Sequence, residues 1–275
     1  MAVKELVKKA GATKPEGMVS KLEISEQFYS IQCEGPTTGV PAYFIRLKAC
    51  NLMCGGTNGE LMKKGEATWW CDTEAVWRAG FGVPFYKLVQ RWEQEGLRDW
   101  IETGRIHLVW TGGEPTIPKH QKAISAFLDY FNNIEAVETD RAPYCTYNEI
   151  ETNGTIPLTE GLFERMQQIN CSPKLANSGM SAARRINPVA IESIMQHENF
   201  WFKFVISNES DIEEIENDFI QPFNIPPQRV ILMPGLDKQE NYHERTRFCL
   251  ETAKKHGYIG LSRLHISAWN QTTGV

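Results

Sequence analysis

IHLVWTGGEP, residues 106–115, reads as an apolar strand, Ile106–Trp110, that runs out onto two glycines and then a proline. The helix expected next, His120–Phe131, completes a strand–turn–helix unit. The same alternation spreads in both directions. Upstream lie the expected strands Leu22–Tyr29 and Ala42–Ala49 and the helix Pro84–Glu95, where Phe85, Leu88, Val89 and Trp92 recur at helical spacing. Downstream come strand Thr146–Glu151, helix Leu158–Gln168, a short strand reaching Cys171, helix Pro188–Gln196, strand Trp201–Ile206, helix Asp211–Ile220 and strand Arg229–Met233. A long amphipathic helix, about Gln239–His256, is expected to stop at Gly257 in a left-handed cap, with a final strand over Ser262–Ser267. Repeated strand–helix units imply an α/β fold: a mostly parallel sheet with outer helices, open or curled into a partial, TIM-like barrel. Ligands of such sheets sit at the carboxyl ends of strands. Polar and glycine-rich punctuation follows strands directly at Thr111–Pro115, Glu151–Thr155, Ser172–Lys174 and Pro234–Gly235, so one pocket can collect all four.

Residues 1–19 read as a flexible tail, and 20–275 as a single domain carrying an inserted segment at 55–70. Hydrophobic residues make up 41% and charged residues 23%, a globular balance. The formal net charge of −5, with no Lys/Arg block longer than a pair, argues against direct nucleic-acid binding and for a small-molecule substrate. Seven cysteines are too few for a disulfide scaffold and cannot all pair. The charged first twenty residues and the lack of a membrane-length apolar run lead to the expectation of a reduced, cytoplasmic protein with no membrane partner.

Cys50 and Cys54 stand four positions apart at the end of an expected strand, and Cys71 follows after sixteen intervening residues. A structural zinc site needs a fourth ligand that this set lacks, whereas three thiolates leave one metal position open for chemistry. Cys33, Cys145, Cys171 and Cys249 have no such grouping and read as buried packing residues; Cys33 also precedes Glu34-Gly35 in an expected active-site loop. Trp69, Trp70 and Trp110 are read as core or loop anchors rather than as a stacking platform.

These residues resemble those of the radical S-adenosylmethionine enzymes and, among them, the 7-carboxy-7-deazaguanine synthase family. The matching stretches are Tyr29–Gly35, Phe44–Leu47, Cys50–Cys54, Cys71–Thr73, Thr111–Pro115, Glu151–Thr155, Ser172–Lys174, Arg263–His265 and the ending from Trp269 to Val275. Two departures stand out. The gap between Cys54 and Cys71 is far longer than the usual two residues, and Cys33 replaces a typical glycine.

The resemblance implies a [4Fe–4S] cluster on Cys50, Cys54 and Cys71, with S-adenosylmethionine at the open iron. It implies cofactor contacts from Gly112, Gly113, Glu114, Thr152, Ser172 and Lys174, and a Mg²⁺ contact from Thr73. Asp72 is read instead as a helix cap. The implied reaction is the ring contraction of 6-carboxy-5,6,7,8-tetrahydropterin to 7-carboxy-7-deazaguanine with loss of ammonia, in 7-deazapurine biosynthesis. Arg46 would hold the substrate carboxylate, Gln32 and Glu34 the pterin edge, and His265 would bind substrate; Glu34 and His265 are the candidate catalytic groups. A flavodoxin- or ferredoxin-like electron donor and a homodimer are implied as partners. Two rivals are a glycyl-radical activase, which has no need of Gln32, Glu34, Arg46 and His265 together, and a non-catalytic zinc-stabilised binding protein.

Overall fold

The structure, a computed structural model, describes residues 20–56, 67–71, 73–136, 145–235, 239–270, 272 and 274. The expected tail, Asp72 and most of the inserted segment lie outside these residues. Among the described residues nine strands form one sheet: β1 (Lys21–Ile31), β2 (Pro41–Leu47), β3 (Phe81–Pro84), β4 (His107–Gly112), β5 (Asn148–Thr152), β6 (Gln168–Cys171), β7 (Phe200–Ile206), β8 (Val230–Pro234) and β9 (Ile259–Gly260). Their spatial order is β3-β1-β2-β4-β5-β6-β7-β8-β9, so the sheet is open. From β2 to β9 every pairing is parallel. β1 runs antiparallel to β2 and β3, an edge that strand–helix alternation did not predict.

Side chains alternate across each strand, and the two faces differ sharply. One face packs Tyr43 and Ile45 of β2, Leu108 and Trp110 of β4, Ile150, Ile169, Phe202 and Phe204 under the helices. Trp92 of helix Phe85–Gln94 and Phe127 of helix Pro118–Ala136 meet edge to face there, and Phe127 meets Trp110 in the same way. Burying each such side chain contributes roughly 1.5–3 kcal/mol. The other face carries Arg46, Thr111, Glu149, Glu151, Asn170 and Lys203, and here the site is built.

Three sequence expectations are corrected. The final strand Ser262–Ser267 is instead a helix, Leu264–Trp269, after the short β9. Leu264 and Ile266 suggest a period of two, but only Ile266 is buried. The Tyr242 hydroxyl donates to Arg263 O at 2.7 Å and accepts from Arg263 N at 3.0 Å, which turns the chain before it can pair. The helix expected over Leu158–Gln168 is a single turn, Glu160–Phe163, because Gln168 already belongs to β6. Cys145 is exposed rather than packed. The helix beginning at Ser210 shifts to π geometry over Glu216–Ile220, just before Pro222 removes a backbone donor. Gly257 does end helix Tyr242–His256 at φ 75°.

Candidate active site

A cavity of ≈ 440 Å³ opens at the carboxyl ends of the parallel strands, and every residue singled out above as a candidate lines it. The cysteine side is set by backbone contact. Gly112 (φ 120°) and Gly113 carry the chain off β4 against the end of β2, with Gly113 N donating to Leu47 O and Glu114 N to Ala49 O. A side chain at Gly112 would meet Leu47 N at 2.2 Å. The glycines therefore seat the cysteine segment.

The sixteen residues between Cys54 and Cys71 leave and return at one place. Cys71 N donates to Cys54 O at 3.2 Å, and a Cβ on Gly55 would stand 2.3 Å from Trp70 Cα. Trp69 anchors this neck, donating from Nε1 to Asn177 Oδ1 at 2.8 Å, while Gly55 N donates to Ser178 O. The long gap thus adds chain while the Cys71 backbone stays hydrogen-bonded to that of Cys54. Trp110 is fully buried in the core, as expected.

Burial pushes the Cys50 thiol up to about 12 and Cys54 to about 11, and neighbouring thiols add to both. Ionising them together calls for a compensating cation such as iron. Among the described residues no three His, Cys, Asp or Glu side chains are grouped for a single metal ion. The three thiols line a cavity instead, which suits a [4Fe–4S] cluster in which three irons would each take one thiolate. Cys50 Sγ also accepts from Leu52 N at 3.5 Å and Asn153 Nδ2 at 3.9 Å. The donor set fits the cluster.

Glu114 faces inward, almost wholly buried. It accepts from Thr116 N and Oγ1, Thr152 Oγ1 (2.7 Å) and Asn153 N (2.8 Å), and burial raises its pKa against these donors. The carboxylate and the Thr152 hydroxyl therefore serve each other, tying the β4 turn to the end of β5. Lys174 donates to Ser172 Oγ at 2.9 Å and lies 5.8 Å from the Trp69 ring centre.

The opposite wall holds a charge network. Lys203 Nζ lies between Glu151 Oε1 (3.1 Å) and Glu34 Oε2 (3.4 Å), and Arg263 Nε donates to Glu34 Oε1 at 2.9 Å. Burial opposes the charge on Glu34, yet Arg263 and Lys203 hold its carboxyl well below the usual range. Burial likewise opposes the charge on Lys203, and Glu151 and Glu34 outweigh it, raising its pKa. Gln32 Oε1 accepts from Cys33 N and Glu34 N, and Gln32 Nε2 points at Glu151 Oε1, 3.5 Å away. Arg46 Nε is taken by Glu26 at 3.0 Å; among the described residues no acceptor engages its Nη groups. His265 reaches the cavity from a helix, not from a strand. Thr73 Oγ1 stands 3.5 Å from Cys71 Sγ, and Thr73 occupies the cap position of helix Glu74–Trp77.

Cys33 is buried at the cavity wall, its Sγ donating to Ile31 O at 3.1 Å, with its pKa pushed up to about 11 by burial and then by Glu34. Lys203 was missed in the sequence. Its signal is one lysine inside the apolar run FWFKFVI, and an unpartnered lysine would not be buried there. Glu151 and Arg263 stood inside quoted motifs without a role.

No family model matches the chain. A 7-carboxy-7-deazaguanine synthase of Pyrobaculum aerophilum is 30% identical over 261 residues, covering 92% of this chain and 97% of that one. The chain belongs to the 7-carboxy-7-deazaguanine synthase family. The synthases of Halobacterium salinarum and Rhodopirellula baltica are each 28% identical over 275 residues, covering 90% and 93% of this chain. The crystal structure of QueE from Escherichia coli shares the fold, with a TM-score of 0.60 at 22% identity over 89% of this chain and 95% of that one. Among the described residues of this family member, no helix is long and apolar enough to cross a membrane.

Proposed function

We propose that this chain is a radical S-adenosylmethionine lyase that converts 6-carboxy-5,6,7,8-tetrahydropterin to 7-carboxy-7-deazaguanine with loss of ammonia. The observation that carries the reading is near full-length similarity to synthases of that name, in a chain whose three thiols share a cavity with Gln32, Glu34, Arg46 and His265. Cys50, Cys54 and Cys71 hold the cluster. When bound, the cluster with S-adenosylmethionine supplies the 5′-deoxyadenosyl radical that starts the reaction.

The chain's own residues bind and orient. The Gly112–Glu114 turn offers its backbone to the cofactor's amino group, and Thr152, Ser172 and Lys174 line the place for its ribose and carboxylate. Arg46, with Nε held by Glu26, turns its Nη groups to the substrate carboxylate. Gln32 and Glu34 take the donor-rich edge of the pterin, and His265 stands at the same wall to bind substrate and move a proton. Thr73 offers a hydroxyl to Mg²⁺, a cation that keeps oxygen ligands. The same reading includes a cytoplasmic homodimer reduced by a flavodoxin- or ferredoxin-like donor.

The test is anaerobic incubation of reconstituted protein with S-adenosylmethionine, reductant and the carboxytetrahydropterin. A deazaguanine product of the expected mass supports the reading. Cleavage of S-adenosylmethionine with the pterin left intact rejects the substrate, and a colourless zinc protein without acid-labile sulfide rejects the chemistry.

A further inference from the structure

Glu149 lies outside the cavity lining, yet its carboxylate is completely enclosed. It stands on β5 two residues before Glu151, on the same face of the strand and one step deeper. Its Oε2 accepts from Thr37 Oγ1 at 2.9 Å, Gln168 Nε2 at 3.0 Å and Asn170 Nδ2 at 3.0 Å. Its Oε1 accepts from His107 Nδ1 at 2.5 Å, so that nitrogen carries the proton. A buried carboxylate is costly unless donors fill its lone pairs, and this one has four. Three of them come from the sheet itself. The fourth, Thr37, reaches in from the loop between β1 and β2, 112 positions away in the chain.

That loop is one compact piece. Its neck is closed by Gln32 N donating to Val40 O and Gly39 N to Gln32 O, both at 2.8 Å, and Thr38 N and Oγ1 bond Gly35 O inside it. Gly35, at φ 79°, lies so close to β6 and β7 that an added Cβ would touch Lys203 Cδ at 3.5 Å and Asn170 Oδ1 at 3.7 Å. The loop is fastened first on its cavity side, where Cys33 O also accepts from Leu264 N at 3.2 Å, and second on its underside. Glu34 ties it to Lys203 and Arg263 on the cavity side, and Thr37 ties it to Glu149 on the underside. A substrate that engages Glu34 competes with the first fastening. The second lies outside the cavity and persists.

We propose that Glu149 is a positioning residue: through Thr37 it holds the β1–β2 loop so that Gln32 and Glu34 are presented to the substrate, while touching neither substrate nor cofactor itself. The inference rests on the substrate reading above.

The experiment compares Thr37→Val, which removes the donor at nearly constant shape, with Thr37→Ser, which keeps it. In the reconstituted, substrate-free protein, amide hydrogen exchange at Thr38, Gly39 and Val40 is expected to speed up about tenfold in Thr37→Val and to stay near wild type in Thr37→Ser. The KM for the carboxytetrahydropterin is expected to rise about tenfold (~1.4 kcal/mol) in Thr37→Val, with substrate-free cleavage of S-adenosylmethionine unchanged and Thr37→Ser restoring KM. Unchanged exchange overturns the anchor, and faster exchange with unchanged KM overturns positioning. Fast exchange spreading into β4–β6 makes Glu149 a core support only and also overturns it. If wild type makes no deazaguanine, the substrate reading fails, and the exchange measurement still decides the anchor.

Discussion

A Cβ placed on Gly113 would stand 1.7 Å from the carbonyl oxygen of Ala49. The turn after β4 and the residue before Cys50 therefore share one backbone seam, with Ala49 itself held at φ 71°. Gly113→Ala has to push this seam open at a cost of about 1–3 kcal/mol or more. The expected outcome is lower iron and sulfide per chain after reconstitution. Wild-type iron content in this variant would show that the seam does not set the cysteine.

Each of Cys50→Ala, Cys54→Ala and Cys71→Ala is expected to abolish cluster assembly, while Cys249→Ala, deep in the helix-side core, keeps it. Iron analysis and the visible spectrum read this directly. Normal iron in Cys71→Ala removes Cys71 from the ligand set and makes Cys33 the next candidate.

Lys203→Met leaves Glu34 and Glu151 without their shared cation and is expected to destabilise the protein by about 3–5 kcal/mol. The pH dependence follows from the directions of shift. Glu34, depressed in the fold, stabilises it above its unfolded value near ~4.3, and this is lost on acidification below that. Lys203, raised in the fold, contributes below ~10.4 and loses its contribution as pH rises through the folded value. Denaturant midpoints against pH should show a smaller loss on acidification below ~4.3 in Lys203→Met than in wild type, with the alkaline loss reduced as well. Parallel curves would remove Lys203 as the stabilising charge.

Arg46→Ala is expected to raise the substrate KM tenfold or more, since a charged hydrogen-bond pair contributes about 1.5–3 kcal/mol, and to spare S-adenosylmethionine cleavage. Equal losses in both reactions argue against a carboxylate contact.

Added Mg²⁺ should raise turnover of wild type more than that of Thr73→Val. Identical Mg²⁺ responses take Thr73 out of the cation site.

Much of the site was legible because its chemistry is local. Cysteines, a Gly-Gly turn and polar residues after strands are recognisable in one dimension, and the parallel sheet gathers strand ends automatically. The misreadings were tertiary. Ser262–Ser267 has strand periodicity, but the Tyr242 hydroxyl from a distant helix captures Arg263 and turns the chain. Arg46 was read for the substrate alone, and Glu26 across the β1–β2 pairing takes one of its nitrogens.

Residue type and order along the chain are enough to read the strand–helix alternation and the family. That Cys71 returns to Cys54 after sixteen intervening residues, and that Lys203 lies between two carboxylates, emerges from the fold alone. The reason is physical. A buried charge is tolerable only where opposite charges from remote strands converge on it, and no local pattern encodes that meeting.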